Sequence, residues 1–230
     1  MNTVNNPLSN ILIQPEVINR STLKEMLDYL KQQPETDLSV FDPEQSNKSG
    51  RTEFAVDKQV RDTQLVEMGD LFEPIIDLYR SIVKNIINPF YNITIRDSEV
   101  PQVLKYQVDG HYNPHVDGQS LWKAPTGDVF WRKSTDRDLS TVIFLNDDFE
   151  GGDFVFPDYR IRIRPEPGLL VCFPSTYQYL HGVEPVTHGV RYSMVNWMTI
   201  NGVPTLAEED RELKNKYNIG SSKERSWQNI

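Results

Sequence analysis

The sequence has 230 residues, of which 38% are apolar and 25% are charged. This length and apolar fraction are typical of one globular domain with a sizeable core, and we expect residues 1–230 to form a single domain. The formal net charge of -9 and the pI near 5.0 argue against a nucleic-acid partner, since phosphate backbones are bound by basic surfaces.

The N-terminus and the cysteine content bear on the compartment. Residues 1–10 show no basic region followed by an apolar stretch, and no apolar run in the sequence reaches the length of a membrane span. Cys172 is the only cysteine and lies in an apolar run, so it forms no intrachain disulfide and is interpreted as a buried thiol in a reducing compartment. We therefore expect a cytoplasmic protein with no membrane partner.

Residues 1–99 are predicted to be mainly helical support, with the first strands at their end. Thr22 and Glu25 form a capping-box pattern before leucine and methionine residues at helical spacing, which predicts a first helix that begins there. The apolar face of residues 71–87 predicts a second helix that braces a sheet. The polar segment 42–61 between them is predicted to be a loop.

Short strands dominate residues 100–200, the predicted catalytic core. Glycine, proline and aspartate separate most of these segments, which is typical of an antiparallel sandwich or barrel. The predicted strands lie near residues 102–107, 112–117, 140–146, 153–157, 160–164, 168–173, 179–186 and 190–200. Eight strands suit a double-stranded β-helix, so the predicted fold is mainly β, a jelly roll braced by the N-terminal helices.

The sequence also predicts the structure of two segments outside these strands. The stretch Gly118–Asp138 is long for a compact domain and is predicted to be a lid or a binding loop. Its Trp122 and Trp131 are candidates for the floor of a substrate groove, and packing of the loop itself is the alternative. Residues 201–230 are predicted to form a C-terminal tail with a short charged helix over 206–217.

Two histidines and one aspartate form the strongest candidate site. His115 and Asp117 are two positions apart, so in a strand both side chains face the same way and can reach one metal ion. His181, just before a turn glycine, would arrive from a different strand. Two imidazoles and one carboxylate form a facial triad that holds Fe(II) and leaves the opposite positions free for a co-substrate and O2. Because short HxD patterns are common by chance, the neighbouring residues decide the interpretation.

Sequence blocks around the triad carry a family resemblance. In order, they are YQVDGHYNPHVD at 106–117, DRDLSTVIFLN at 136–146, FEGGDF at 149–154, PEPGLLVCFP at 165–174, HGVEPV at 181–186 and GVRYS at 189–193. Together these blocks resemble the Fe(II)/2-oxoglutarate oxygenases, specifically the prolyl 4-hydroxylase-like branch. One departure is the glycine after Tyr106, which lies one place later than in the commonest form.

The resemblance implies roles for individual residues. His115, Asp117 and His181 would bind Fe(II), and Arg191 would bind the distal carboxylate of the co-substrate 2-oxoglutarate. Arg191 lies ten positions after His181, as the basic residue does in this family, and its planar fork suits a carboxylate. Further candidate contacts to the co-substrate are Tyr106, Thr141 and Ser193.

The resemblance also implies the reaction. An Fe(II)- and 2-oxoglutarate-dependent dioxygenase consumes O2, releases succinate and CO2, and hydroxylates an unactivated C–H bond; ascorbate is a further candidate cofactor. The leading candidate substrate is a prolyl residue in a peptide or protein, and a free amino acid or another small molecule is the alternative. A metal-dependent hydrolase and a non-catalytic jelly-roll binding module are the other function classes. The hydrolase gives no role to Arg191, and a binding module would be expected to lose a ligand or the arginine.

Overall fold

A computed structural model describes most of the chain, namely residues 7–41, 54–124, 126–217 and 228–229. The greater part of the predicted loop 42–61 and residues 218–227 of the predicted tail lie outside this set. In the described ranges, every helix is too short or too polar to cross a membrane.

The first helix, α1, spans Arg20–Leu30 and buries the predicted leucine and methionine stripe. It begins earlier than predicted. The side chain of Asn19 accepts a hydrogen bond from the backbone N–H of Thr22, so Asn19 is the N-cap and the predicted capping box at Thr22 and Glu25 is wrong. An asparagine satisfies the unpaired N–H groups of a first turn as well as a threonine does, which explains the shift.

The second helical segment lies where the apolar face predicts it. Helix α2 spans Phe72–Ile82, passes into a π-helical turn at Val83–Ile87 and continues as α3, Asn88–Tyr91. The buried side chains are Ile75, Tyr79, Ile82 and Ile87, while Phe72 is exposed. The five-residue step from Ile82 to Ile87 fits the wider π turn between them. Helix α4, Leu206–Lys216, matches the predicted C-terminal helix and is capped by Thr205 and Glu208.

The strands are short and cover most of the remaining described residues. In chain order they are β1 (Leu12–Gln14), β2 (Glu35–Asp37), β3 (Val40–Phe41), β4 (Phe54–Ala55), β5 (Arg61–Asp62), β6 (Gln64–Val66), β7 (Ile95–Ser98), β8 (Gln102–Tyr106), β9 (His111–His115), β10 (Gln119–Lys123), β11 (Val129–Lys133), β12 (Leu139–Phe144), β13 (Phe149–Gly151), β14 (Phe154–Phe156), β15 (Ile161–Ile163), β16 (Leu170–Pro174), β17 (His181–Val183), β18 (Val186–Gly189), β19 (Arg191–Ile200) and β20 (Gln228–Asn229).

Two antiparallel sheets form the jelly roll. The larger sheet has the order β1-β16-β12-β19-β8-β6-β2, and β7 pairs with the end of β19. The smaller sheet has the order β15-β14-β17-β9-β5. Strands β13 and β18 form a separate pair, β10 and β11 form a hairpin that β20 extends, and β3 pairs with β4.

Each face of the larger sheet contacts a different core. On β12, Leu139 and Ile143 belong to the core shared with α1 and α2, while Val142 and Phe144 belong to the core between the two sheets. This alternation is the period of two expected of a strand. The helices therefore cover one face of the larger sheet, and the other face is left to form the interior of the jelly roll.

The predicted strands are confirmed with three differences. The predicted strand 112–117 ends at His115. The predicted strand 179–186 is replaced by β17 and by β18, which begins only at Val186, after a break that includes Pro185, whose ring removes a backbone N–H donor. The third difference concerns Gly118–Asp138. This segment is not an extended loop but contains the β10–β11 hairpin, with Leu121 paired to Trp131.

Candidate metal centre

The three candidate metal ligands converge where β9 and β17 run side by side. His115 is the last residue of β9, His181 is the first residue of β17, and the two are directly paired in the ladder. Asp117 lies in a bend after β9 and not in the strand. The predicted geometry of two side chains on one face of a strand is thus replaced by a strand end followed by a bend.

The ligand atoms lie close enough together to hold one metal ion. The Nε2 atom of His115 is 3.5 Å from Oδ1 of Asp117, and Nε2 of His181 is 3.4 Å from Oδ2 of the same carboxylate. All candidate ligand atoms of the triad lie within 4.8 Å of one another. Two nitrogens and one oxygen on one side of a common point fit the facial arrangement that suits Fe(II).

Backbone carbonyl groups orient both imidazoles. Nδ1 of His115 is 2.9 Å from the carbonyl oxygen of Asn113, and Nδ1 of His181 is 2.9 Å from the carbonyl oxygen of Tyr179. Since a carbonyl oxygen only accepts, each Nδ1 carries the proton and each Nε2 lone pair is left for the metal. This is the second contact that metal-binding histidines in proteins usually make.

The electrostatics of the triad favour the protonation states that bind metals. Burial lowers the pKa of His115, and the nearby His181 lowers it further. For Asp117, burial opposes ionisation, but the two histidines outweigh it and hold the pKa of the carboxyl well below its ordinary value. At neutral pH the site therefore offers a neutral imidazole at His115 and a carboxylate at Asp117.

A buried arginine lies in the same pocket as the triad. Arg191 is 1% exposed and begins β19, which places its side chain on the interior face of the larger sheet. Its guanidinium carbon lies 4.7 Å from the ring centroid of Tyr106 and 5.2 Å from that of Phe144. Nη1 donates a 3.2 Å hydrogen bond to Oγ of Ser193. Among the described residues, Nε and Nη2 of Arg191 have no hydrogen-bond partner.

Arg191 is therefore a cation with two donor nitrogens, Nε and Nη2, that no described residue binds. Burial lowers the pKa of its guanidinium, and Tyr106 and Asp153 oppose part of this effect. An arginine remains protonated at neutral pH even so, because its ordinary pKa lies far above neutral pH. A buried cation with two unsatisfied N–H groups is costly by itself and fits a site for a carboxylate.

The other predicted co-substrate contacts differ in where they lie. Tyr106 and Ser193 line the pocket and contact Arg191. The hydroxyl group of Thr141 instead donates to the carbonyl oxygen of Asn196, at 3.0 Å. Thr141 also lines the pocket, and it is in phase with the helix-facing residues Leu139 and Ile143 of β12.

The two candidate tryptophans point to opposite faces of the β10–β11 hairpin. Trp122 pairs with Phe130, and Trp131 pairs with Leu121. The guanidinium of Arg132, itself joined to Asp210 of α4, lies 4.9 Å from the Trp122 ring. Trp122 thus packs on the side that contacts the C-terminal helix. On the other face, Trp131 is 39% exposed.

Trp131 stacks on Tyr177, with the ring centroids 5.4 Å apart and the planes at 12°. Tyr177 is also exposed, and it precedes His181 in the short segment that leads into β17. The structure therefore separates the predicted pair: Trp131 belongs to an exposed aromatic patch beside the β17 segment, and Trp122 belongs to the anchorage of the hairpin.

Sequence reasoning missed three groups around the triad. Ser140 donates a 2.7 Å hydrogen bond to Oδ2 of Asp117, and its Oγ is 2.7 Å from Oγ of Ser175. The ring of Tyr112 stacks on His115, and Arg61 lies over the Tyr112 ring. Trp197 lines the pocket as well; its ring is covered by Arg137, whose guanidinium pairs with Glu99. Ser140 and Trp197 had a local signal for the interior face, since Ser140 is in phase with Val142 and Phe144 and Trp197 is in phase with Ser193 and Val195.

The chain is similar in sequence to known hydroxylases. Residues 101–199 match the model of the 2OG-Fe(II) oxygenase superfamily. A PKHD-type hydroxylase of Aliarcobacter butzleri (strain RM4018) is 35% identical over 127 residues, which cover 54% of this chain and 47% of that protein. Prolyl 3-hydroxylase 2 of Rattus norvegicus is 33% identical over 90 residues, which cover 37% of this chain and 12% of that protein. The match thus spans less than half the length of either relative.

The fold is similar to those of solved prolyl hydroxylases. A prolyl hydroxylase from Trichoplax adhaerens, in complex with a hypoxia inducible factor oxygen degradation domain peptide fragment, superposes with a TM-score of 0.61 at 14% identity, covering 96% of this chain and 90% of that chain. The viral collagen prolyl hydroxylase of Paramecium Bursaria Chlorella virus-1 has a TM-score of 0.57 at 16% identity, covering 82% of this chain and 95% of that chain. These likenesses show a shared jelly-roll fold.

Proposed function

We propose that the chain is an Fe(II)- and 2-oxoglutarate-dependent dioxygenase of the prolyl 4-hydroxylase-like kind, which the match of residues 101–199 to the 2OG-Fe(II) oxygenase superfamily model supports. It hydroxylates an unactivated C–H bond, with a prolyl residue of a peptide as the substrate, and releases succinate and CO2. The observation that carries this proposal is the buried Arg191 with two unsatisfied nitrogens in the pocket that also contains the His115, Asp117 and His181 triad.

Different residues of the chain would bind Fe(II) and 2-oxoglutarate. Nε2 of His115, Nε2 of His181 and a carboxylate oxygen of Asp117 would hold Fe(II), which supplies the capacity to activate O2 once 2-oxoglutarate is bound. Arg191 and the hydroxyl group of Ser193 would receive the distal carboxylate of 2-oxoglutarate, because a planar guanidinium binds a carboxylate through two parallel hydrogen bonds. Tyr106 packs under the guanidinium and fixes its plane.

The remaining pocket lining keeps water away from the reacting groups. Apolar side chains from both sheets close the pocket around the triad and Arg191; they include Leu104, Val142, Phe154, Val183 and Val195. The ring of Phe173 also packs against His181, with centroids 4.6 Å apart. A dry and fixed site is what the protein contributes to oxidation chemistry, since it orients the partners and limits stray oxidation.

A peptide substrate is supported by the relatives and by the surface beside the pocket. Prolyl hydroxylases are among the similar sequences, and the Trichoplax adhaerens structure contains a peptide fragment. The exposed stack of Trp131 on Tyr177 offers a flat apolar surface of the kind that packs against a proline ring. A free amino acid or another small molecule is the alternative substrate, and the exposed stack favours the peptide.

The test of this function is 2-oxoglutarate-dependent succinate formation by the Fe(II)-loaded protein with proline-containing peptides. Replacing Arg191 by Lys keeps the charge and loses the fork, and replacing it by Ala loses both. We expect the KM for 2-oxoglutarate to rise in both variants, and by about 10- to 100-fold in Arg191→Ala, since a hydrogen bond to a charged group is worth about 1.5–3 kcal/mol.

Arg80→Gln is the matched control, because Arg80 is an exposed residue of α2 that pairs with Asp77 alone among the described residues. Its KM for 2-oxoglutarate should equal that of the unmodified protein. If Arg191→Ala also leaves this KM unchanged, the co-substrate site is elsewhere. If Fe(II) and 2-oxoglutarate give no succinate with any peptide or free amino acid, the proposed reaction is wrong.

A further inference from the structure

A second arginine lines the metal pocket. Arg61 lies in β5, directly opposite Tyr112 of β9. Its guanidinium carbon is 4.5 Å from the centroid of the Tyr112 ring, and that ring stacks on His115 with centroids 3.6 Å apart. The guanidinium is therefore held in place by an aromatic ring that itself contacts a metal ligand. A stacked guanidinium is preorganised, because little side-chain freedom is lost when it binds a further group.

Within the described ranges, no carboxylate is paired with this arginine. Nε of Arg61 is buried and has no hydrogen-bond partner there, and neither Asp nor Glu in those ranges forms an ion pair with its guanidinium. The adjacent Asp62 pairs with Lys58 at 3.2 Å. The other arginine on the Tyr112 side, Arg137, differs because Glu99 neutralises it through two hydrogen bonds.

One arginine of the pocket has no compensating negative charge when Fe(II) and 2-oxoglutarate are bound, a count that rests on the proposed function. The charged side chains that line the pocket are Arg61, Arg191 and Asp117, besides the titratable histidines. Fe(II) and the dianion of 2-oxoglutarate cancel each other's charge. Asp117 then compensates one arginine, and a single positive charge remains. In a partly enclosed pocket such a charge is poorly screened by solvent, so an anionic partner is favoured.

We propose that Arg61 binds a carboxylate of the primary substrate. The acid group must lie within a few bonds of the hydroxylated carbon, because Arg61 and the metal ligands line the same small pocket. Arg191 is not available for this task, since it receives the co-substrate. The substrate class is therefore a carboxylate-bearing prolyl compound. The carboxylate belongs either to the α-carboxyl group of proline itself or to an acidic side chain next to the prolyl residue of a peptide.

A carboxylate fits better than a neutral carbonyl group. A carbonyl oxygen accepts one or two hydrogen bonds but leaves the positive charge of Arg61 uncompensated, whereas a carboxylate satisfies both the donors and the charge. The flat, fixed guanidinium also matches the flat shape of a carboxylate. Recognition of this kind discriminates strongly against an analogue that lacks the charge, because the arginine is then left without a partner.

The experiment measures binding and needs no turnover. The protein is loaded with Zn(II) and 2-oxoglutarate, and isothermal titration calorimetry gives the Kd of two matched probe pairs. The first pair is L-proline and L-prolinamide. The second is acetyl-Pro-Glu-amide and acetyl-Pro-Gln-amide, which moves the carboxylate to a neighbouring side chain. The unmodified protein is compared with Arg61→Gln, Arg61→Lys and the control Arg80→Gln, and a thermal melt of each variant checks folding.

We expect the unmodified protein to bind the carboxylate member of one pair about 10-fold or more tightly than its amide, as one charge-assisted hydrogen bond implies. The pair that shows the preference identifies the source of the carboxylate. Arg61→Gln should reduce the preference to about 2-fold or less, Arg61→Lys should retain part of it, and Arg80→Gln should retain all of it.

Three results would overturn the proposal. They are equal binding of both members of each pair, binding of no probe, and a loss in Arg61→Gln that is the same for acid and amide. The last result would mean that Arg61 acts only by holding Tyr112 against His115. Should Arg61→Gln fail to fold, Arg61→Lys decides. A reduced preference for the acid over the amide in that variant supports the proposal, and an unchanged preference overturns it. Succinate formation by the Fe(II) protein tests the proposed function separately, so the two failures are distinguishable.

Discussion

Both oxygens of the Asp117 carboxylate have partners within the protein. Oδ1 faces His115, and Oδ2 faces His181 and also accepts the hydrogen bond of Ser140. Ser140 is in turn 2.7 Å from Ser175, and both hydroxyl groups are buried. The backbone N–H of Gly118 donates to the carbonyl oxygen of Ser175, which fixes the bend that contains Asp117. The two serines therefore orient the carboxylate and are not themselves among the candidate metal ligands.

This arrangement predicts that Ser140→Ala weakens metal binding. Outer partners of metal ligands usually contribute about 10- to 100-fold to metal affinity, and we expect a loss of that size because Asp117 then lacks one of its fixed partners. Ser140→Thr keeps the hydroxyl group and should recover most of the affinity. The measurement is the Kd for Co(II), read from its visible absorption spectrum. An unchanged Kd and spectrum in Ser140→Ala would show that Ser140 does not orient the carboxylate.

At the residue scale, the triad and Arg191 were predictable and the serines were not. His115, Asp117, His181 and Arg191 lie within sequence blocks that resemble one family, and these blocks, more than the short spacings, point to the site. Ser140 acts through contacts with Asp117, which precedes it by 23 residues, and with Ser175, which follows it by 35. No local pattern encodes such contacts, because they arise only when β12, β16 and the bend after β9 come together.

The β10–β11 hairpin lies in the segment that the sequence predicted to be a lid or a binding loop. Its strands are joined by five ladder pairs, and Lys133 donates through Nζ to Asp138 and to the carbonyl oxygen of Pro204, which precedes α4. Phe130 stacks on Tyr217 at the end of α4, with centroids 5.8 Å apart. The C-terminal helix thus anchors one face of the hairpin, and the other face carries the exposed Trp131.

The opposite orientation of the two tryptophans predicts different effects of their removal. Trp131→Ala should raise the KM for a peptide substrate and change the melting temperature little, since its ring is exposed and contacts Tyr177. Trp122→Ala should instead destabilise the protein by about 1–3 kcal/mol, because its ring packs with Arg132 on the anchored face.

Thermal melts and steady-state kinetics with a peptide substrate, measured on both variants, check this assignment. Leu121→Ala is a useful comparison, because Leu121 pairs with Trp131 on the same face. If Trp122→Ala changes the peptide KM and leaves stability intact, while Trp131→Ala does the reverse, the faces are assigned wrongly. The hairpin had a local signal that the length of the segment obscured, since Val129, Phe130 and Trp131 are residue types that favour strands and a turn-forming stretch with Gly127 precedes them.

At the scale of the whole molecule, the jelly roll and its helices form three layers. Cys172 lies at the centre of β16, paired with Leu12 of β1 and Thr141 of β12, and its side chain belongs to the core shared with the helices. The site lies on the other side of the same sheet, where β19 begins at Arg191. The alternating strands made this layered arrangement predictable, whereas the pairing order of the strands depends on long-range contacts that a local pattern does not contain.

This placement predicts that the thiol of Cys172 reports global unfolding. Cys172 is fully buried, and burial raises the pKa of its thiol to about 12, so the folded protein holds it protonated and inaccessible to disulfide reagents at pH 8. Labelling then requires separation of the helices from the larger sheet. Ligands that bind the folded state alone should therefore slow the labelling.

The protein is labelled with Mn(II) and 2-oxoglutarate present at a free concentration of about 100 times the Kd, which stabilises the folded state by about 2.7 kcal/mol. If the unfolded protein refolds faster than it is labelled, the labelling rate should fall about 100-fold. The rate is measured with a colorimetric disulfide reagent under native conditions. In urea the same ligands should leave the rate unchanged, which controls for any reaction between ligand and reagent. If the labelling rate under native conditions does not change when the ligands are added, global unfolding is not required for labelling. Cys172 would then become accessible through a local opening of β1 and the helices, while the pocket on the opposite face of the sheet stays intact.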